Sequence, residues 1–160
     1  MSMDIIVREA TEEDIPKVLS LFYQEFLEEK GDELACLDYS HESLCSAIKS
    51  ILKDKRLGFL LVAEDCGKKV VGAILMEVAR CIFNLQRHFY SETAWFVLPE
   101  YRGMGIGAKL FEQVCLEAKR LGATAVMMGR PLSEGFERLD GFYKTKGLKP
   151  SQAVYFKDLR

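Results

Sequence analysis

A glycine-rich segment, Arg102-Gly103-Met104-Gly105-Ile106-Gly107, joins an apolar stretch to an amphipathic one. Glycine lacks Cβ and tolerates φ > 0, so a ligand can approach the backbone closely at such a loop. The first N–H groups of a following helix have no partner within the helix and lie at the positive end of its dipole. Strand, glycine loop and helix N-terminus together predict a binding site for a phosphate or pyrophosphate group.

Spacing separates three kinds of glycine loop. A Walker loop needs Lys-Ser or Lys-Thr directly after its last glycine, whereas Ala108 and Lys109 follow Gly107 here. The dinucleotide fingerprint G-x-G-x-x-G/A does match from Gly103 onward, but it also needs an acidic residue about 20 residues further on. The next strand ends in Met127-Met128-Gly129-Arg130, which carries no carboxylate. The dinucleotide reading is therefore disfavoured.

The third pattern, Arg/Gln-x-x-Gly-x-Gly/Ala, is satisfied in full by residues 102–107. Here the chain resembles the GNAT family, the Gcn5-related N-acetyltransferases, in which this segment binds the pyrophosphate of acetyl-coenzyme A. The segments Val97-Leu98-Pro99-Glu100-Tyr101 and Phe142-Tyr143-Lys144-Thr145-Lys146-Gly147-Leu148 resemble the same family. The resemblance implies acetyl-CoA as cosubstrate and cofactor-binding positions at Phe96, Val97, Leu98, Arg102, Gly103, Met104, Gly105, Ile106, Gly107 and Ala108.

Acetyl transfer to an amine requires an uncharged nitrogen, although an alkylammonium has a pKa of about 10.4. Glu92 is the candidate base, because an acidic residue inside an apolar strand is unusual and some GNAT enzymes use a glutamate near this point. A solvated strand end or a structural ion pair is the alternative role for Glu92. Strand alternation predicts two opposite faces, one with Tyr90, Glu92, Ala94 and Phe96 and the other with Ser91, Thr93, Trp95 and Val97.

Two further groups follow from the resemblance. Backbone N–H groups near Phe96 and Val97 are the candidates for stabilising the carbonyl oxygen, because the family's strand splays from its neighbour there. Tyr143 matches the family's tyrosine that protonates the leaving sulfur; its alternative is a helix tyrosine packed at the cofactor's edge. Arg102 is expected near the phosphates, or else as a surface arginine.

The elements that must position these residues follow from periodicity and turn signals. The predicted strands are Asp4–Arg8, Phe59–Glu64, Val70–Val78, Tyr90–Val97, Ala123–Met128 and Ala153–Lys157. Predicted helices run from Thr11 to about Glu29, from a Ser40 cap through Leu52, from Ala108 to Leu121 and from Glu137 to Lys146. This order predicts an α/β fold with a mixed, mostly antiparallel sheet of six to seven strands and helices on both faces, as in the GNAT fold.

Bulk properties bound the remaining choices. The 160 residues predict one domain, 1–160, and the net charge of -2 argues against a general nucleic-acid binder. Five cysteines without a C-x-x-C pair favour a reducing, cytoplasmic location. We expect no membrane span and no signal peptide. Two histidines, His41 and His88, lack ligands at metal spacing, so no metal site is expected.

The sequence therefore predicts an N-acetyltransferase that moves the acetyl group of acetyl-CoA to a primary amine by direct attack in a ternary complex. Its partner would be a small-molecule or peptide amine, and we expect it to bind neither nucleic acid nor a membrane. Whether it forms a homodimer is left open. Two alternatives remain at this stage. One is a non-catalytic acyl-CoA-binding module, and the other is a transferase that modifies proteins or peptides.

Overall fold

The computed structural model describes residues 4–29, 38–130, 137–151 and 157. Within them lie five strands and four helices. The strands are β1 (Ile6–Glu9), β2 (Gly58–Glu64), β3 (Val70–Cys81), β4 (Asn84–Val97) and β5 (Ala125–Met127). The helices are α1 (Ile15–Glu29), α2 (His41–Lys53), α3 (Ile106–Arg120) and α4 (Glu137–Thr145).

The strands form one sheet in the order β1-β2-β3-β4-β5. The first three pairings are antiparallel, whereas β5 runs parallel to β4 and pairs with it over only three residues, from Phe89–Ala125 to Ser91–Met127. The predicted fold class, a mixed and mostly antiparallel sheet, is confirmed. The predicted strand Ala153–Lys157 falls almost entirely outside the described residues.

Each face of the sheet carries its own hydrophobic core, as helices on both faces require. Helices α1 and α2 cover one face, where the most deeply buried side chains are Val18, Ile48, Leu60, Val62 and Ala73. Helix α3 covers the other, where they are Phe59, Val71, Ile74, Met76, Ile106, Leu110 and Val114. Residues of β2, β3 and β4 alternate between these two cores, so the central strands are buried on both sides.

A β-bulge in β4 changes which residues share a face. Leu75 pairs with Ala94 while the next residue of β3, Met76, pairs with Glu92, so Thr93 is the extra residue on β4. The prediction that Tyr90, Glu92, Ala94 and Phe96 share one face is therefore wrong. Tyr90 belongs to the α3 core, whereas Ala94 and Phe96 belong to the α1 core. Strict alternation cannot hold across an inserted residue.

Helix boundaries differ from the prediction in two places that matter for geometry. Helix α1 begins at Ile15 after a short 3-10 turn, so Pro16 occupies the first helical turn, where a backbone N–H has no helical partner to lose. Helix α3 begins at Ile106 with Gly105 as its N-cap, two residues before the predicted start. The glycine loop thus runs directly into the first turn of α3.

The Arg8 guanidinium joins the start of α1 to the sheet. It donates to both carboxylate oxygens of Asp14, at 2.7 and 3.0 Å, and to Glu64 Oε2 at 2.6 Å. Asp14 is only 4% exposed. The hydrogen bonds from Arg8 outweigh the effect of burial and lower the pKa of Asp14 from 3.8 to about 2.

We expect Asp14→Asn to lower the free energy of unfolding at neutral pH by about 2 kcal/mol, since one pKa unit corresponds to about 1.4 kcal/mol. A carboxylate with a lowered pKa stabilises the fold above its unfolded pKa and loses that contribution as pH falls. The wild-type protein should therefore lose this stability between about pH 4 and pH 2, and the variant should not. Urea unfolding across that range measures it, with the exposed neighbour Glu13→Gln as control. If the free energy of unfolding fell equally between pH 4 and pH 2 in Asp14→Asn and in wild type, the assignment would be contradicted.

Candidate functional site

The glycine loop has a backbone that only glycine adopts comfortably. Gly103 and Gly105 have φ of 80° and 78°, and a Cβ added to either would meet no atom within 4 Å. These glycines are thus required by conformation rather than by crowding, and the space in front of them is open. No side chain caps the N-terminus of α3 within the described structure, so no N-cap side chain accepts from its first N–H groups.

Gly107 has a different role, set by its contact with a side chain. A Cβ at this position would lie 3.1 Å from Cζ2 of Trp95, so glycine lets the indole ring pack beneath the first turn of α3. The indole Nε1 of Trp95 is enclosed, and no acceptor among the described residues lies within hydrogen-bonding distance of it. The ring lies 6.0 Å from that of Phe142 and 6.4 Å from that of Tyr143, both on α4. Trp95 therefore fills the junction of β4, α3 and α4.

The remaining loop positions divide between core and surface. Ile106 is 1% exposed and anchors the start of α3 in the core, whereas Met104 is 53% exposed. Ala108 is half-buried on the first turn of α3. Of these three positions, only Met104 and Ala108 have side chains accessible to a ligand, and Ile106 can contribute only its backbone.

Arg102 ties the loop to two other elements. Its Nε donates to the carbonyl oxygen of Val97 at 2.9 Å, and its Nη2 lies 2.8 Å from Glu28 Oε2 near the end of α1. The guanidinium also stacks over the ring of Phe96, 4.9 Å from its centroid. The side chain predicted to lie near phosphate thus connects α1, β4 and the glycine loop.

Beyond its three pairs with β5, one edge of β4 has no neighbouring strand among the described residues. The Leu98 N–H donates to Val71 O, on the β3 side. Because successive backbone groups of a strand point to opposite edges, the Phe96 N–H also faces β3, whereas those of Trp95 and Val97 face the open edge. Of the two predicted oxyanion donors only Val97 is suitably directed. The sequence reasoning missed Trp95, because the edge that an N–H faces depends on pairing.

The two predicted catalytic side chains meet at one residue just after β5, Gly129. Glu92 Oε2 accepts a hydrogen bond from the Gly129 N–H at 2.9 Å, and the Tyr143 hydroxyl donates to the Gly129 carbonyl at 2.6 Å. Both side chains therefore lie where β4 and β5 separate, on the side of the sheet that α3 covers. Glu92 bridges the two strands at the point where their backbone pairing ends.

Sequence reasoning also missed a third ionisable residue of this site. Glu25 of α1 is 8% exposed, and its Oε1 accepts a hydrogen bond from the Trp95 N–H at 2.8 Å. A signal was present, because Glu25 follows the buried Val18 by seven residues and so occupies the inward face of the helix. An acidic residue within an apolar helical face is as unusual as Glu92 within its strand.

Two absences bear on the kind of site. No cluster of three or more histidine, cysteine or carboxylate side chains suited to a metal ion occurs among the described residues. In the same part of the chain, no helix combines the length and the apolar character needed to cross a membrane.

The chain belongs to the acetyltransferase (GNAT) family, whose model matches residues 15–147. No curated protein matches it in sequence. Among solved structures it is similar to a possible acetyltransferase from Clostridium difficile, at 19% identity and a TM-score of 0.74 with 98% of each chain covered. It is also similar to a predicted acetyltransferase from Clostridium acetobutylicum with acetyl-CoA, at 16% identity and 0.74, covering 98% of this chain and 97% of that one.

A third similar structure is glucosamine-6-phosphate N-acetyltransferase from Arabidopsis thaliana, at 14% identity and a TM-score of 0.74, covering 98% of this chain and 99% of that one. At these identities the structures establish the fold. The family match and the shared fold together confirm the predicted GNAT family and the GNAT fold.

We expect Glu92→Ala to release the Gly129 N–H and to speed its amide hydrogen exchange by about tenfold, the equivalent of one lost hydrogen bond of about 1.4 kcal/mol. Glu92→Gln is the matched control, because its side-chain oxygen can still accept this hydrogen bond. Amide exchange measured by NMR compares the three proteins. Equal protection of Gly129 in Glu92→Ala and wild type would show that Glu92 does not bridge β4 and β5.

Proposed function

We propose that the protein is an acetyl-CoA-dependent N-acetyltransferase that acetylates a primary amine by direct attack in a ternary complex. One observation carries the proposal: the uncapped N-terminus of α3, preceded by Gly103 and Gly105 at positive φ, adjoins the unpaired edge of β4. The first feature suits a pyrophosphate and the second suits an extended amide-containing chain. Acetyl-CoA contains both.

The residues present fit this cosubstrate. The open space in front of the glycine loop leaves room for phosphate oxygens at the N–H groups of the first turn of α3. The Val97 N–H, on the open edge of β4, can pair with the extended amide-containing chain. When bound, acetyl-CoA supplies the activated acetyl group as a thioester.

The protein must then provide three things for acyl transfer. It must remove a proton from the acceptor ammonium, polarise the thioester carbonyl with a fixed donor and protonate the departing sulfur. The backbone edge of β4 provides the donors, and Tyr143 provides the proton for sulfur. The sequence predicts Glu92 as the proton acceptor, and Glu25 is a second carboxylate at the same edge.

Known proteins of similar fold support the reaction class. One of the similar structures contains acetyl-CoA, and another is an enzyme that acetylates an amino sugar phosphate. For this chain we propose a small-molecule or peptide amine as acceptor. The described cysteines, Cys45, Cys66, Cys81 and Cys115, are free thiols, which supports a reducing compartment such as the cytoplasm.

Binding can be followed directly, because Trp95 is the single tryptophan of the sequence and lies at the proposed cofactor site. We expect Gly105→Ala to weaken acetyl-CoA binding at least tenfold, since one hydrogen bond to a charged group contributes about 1.5–3 kcal/mol. Gly122→Ala is the matched control, because Gly122 has φ of 81° at the other end of α3 and suffers the same backbone strain. Equal loss of affinity in both variants would contradict a phosphate site at the glycine loop.

We expect Tyr143→Phe to lower kcat by about 10²- to 10⁴-fold, the usual contribution of a general acid, with little change in acetyl-CoA affinity. Loss of thioester absorbance with a panel of primary amines measures turnover. Tyr101→Phe is the control, since it removes a hydroxyl that instead donates to Asp65 Oδ2 at 3.0 Å. Tight acetyl-CoA binding by the wild type without turnover of any amine would identify a binding module rather than an enzyme.

A further inference from the structure

We infer that Glu25, rather than Glu92, accepts the proton of the acceptor ammonium. The inference rests on the proposed transferase function and names the base of that same site. It follows from three features of the structure: the buried position of Glu25, the backbone group that it contacts, and the face of the sheet from which it approaches.

The first feature is burial on the inward face of α1. Only two charged side chains are classed as buried in the described part of the chain, Asp14 and Glu25. The burial of Asp14 is explained by the hydrogen bonds that it accepts from Arg8, which join the start of α1 to the sheet. Glu25 lies beside the buried Val18 and Phe22 on a helix face that otherwise packs against the sheet. Charged side chains are rarely buried, so the fold holds the Glu25 carboxylate in a defined position.

The second feature is the group that Glu25 contacts. Its Oε1 accepts from the Trp95 N–H, which is one of the two N–H groups directed to the open edge of β4. A donor at this edge is what a thioester carbonyl oxygen needs as negative charge develops on it. A carbonyl oxygen and the Glu25 carboxylate would compete for one N–H. Glu25 therefore lies within a side-chain rotation of the proposed reacting group.

The third feature is the face of approach. Glu92 pairs across the sheet with Met76, which is buried in the α3 core, so Glu92 points to the α3 face. Tyr143 approaches Gly129 from the same face and lies near Trp95. Glu25 approaches from the α1 face. Glu92 thus shares a face with the group proposed to protonate sulfur, whereas Glu25 lies on the opposite face, which is left for the amine.

The proton balance is complete with these two residues. Glu25 takes one proton from the ammonium, and the uncharged nitrogen then bonds to the carbonyl carbon. The carbon–sulfur bond breaks, and the sulfur leaves with the hydroxyl proton of Tyr143. The nitrogen gives its second proton, through solvent, back to the Tyr143 oxygen, and Glu25 releases its proton to solvent. The products are an N-acetylamine, coenzyme A and one proton. Glu92 holds Gly129 against β4.

The test is Glu25→Gln, which keeps an oxygen able to accept from the Trp95 N–H but removes the basic carboxylate. We expect kcat/KM at neutral pH to fall by at least about 10²-fold, with the deficit shrinking as pH approaches the pKa of the amine, because solvent then supplies uncharged amine. The probe is the primary alkylamine that the wild type acetylates fastest. Tm and acetyl-CoA affinity from Trp95 fluorescence should stay close to wild type, which separates a lost base from a damaged fold.

Three comparisons complete the test. Glu25→Asp should recover part of the activity with a wild-type pH profile, and the exposed Glu13→Gln should behave as wild type. Wild-type activity in Glu25→Gln, or an equal loss at every pH, would overturn the assignment. So would a Glu92→Gln variant that alone shows the pH-dependent loss.

The amide signal of Trp95 in NMR gives a readout independent of turnover. This signal should shift when acetyl-CoA is added to the wild type, because the Trp95 N–H must exchange its hydrogen bond to Glu25 for one to the thioester carbonyl oxygen. An unmoved Trp95 amide in saturated protein would overturn the assignment. Absence of acetyl-CoA binding in the wild type would instead refute the transferase proposal itself.

Discussion

The separation of β5 from β4 is the constraint on which the site depends. Buried backbone groups require hydrogen-bond partners, and a strand that loses its neighbour leaves a row of them unmatched. Here β4 continues to Val97 after its pairing with β5 has ended at Ser91. Side chains from three other parts of the chain, Glu25, Arg102 and Tyr143, contact the region of the gap at the Trp95 N–H, the Val97 carbonyl and the Gly129 carbonyl. Backbone groups that are hydrogen-bonded to side chains can exchange those side chains for a ligand, whereas backbone groups that are paired with a neighbouring strand cannot.

The glycine loop adds the proposed pyrophosphate site at the end of that edge. Gly103 and Gly105 turn the chain from β4 into α3 with positive φ, so the dipole of α3 is aimed at the space beside the gap. Arg102 fixes the geometry by joining Val97 to Glu28 of α1. Arg102 therefore links the end of α1 to the loop. The same helix turn carries Glu25, so one rigid unit connects the proposed cofactor and acceptor sides.

Two carboxylates and a tyrosine surround the gap, and their faces decide their chemistry. Glu92 and Tyr143 converge on Gly129 from the α3 side, and Glu25 reaches Trp95 from the α1 side. In the proposed reaction, proton removal and proton donation take place on opposite faces of the sheet, so the base and the acid do not exchange a proton directly. The bulge at Thr93 places Glu92 and the later residues Ala94 and Phe96 on different faces of the sheet.

The sequence by itself determined the family, the fold class and the position of the glycine loop. Those features depend on residue type and local spacing, which for residues 102–107 can be read directly from the sequence. It also predicted Glu92 and Tyr143, which lie together at Gly129. Only the tertiary structure decided that the Phe96 N–H faces β3, that Tyr90 and Phe96 belong to different cores, and that Glu25 lies at the open edge. Each of these depends on strand register or on a contact between residues 70 positions apart, and neither is encoded in local periodicity.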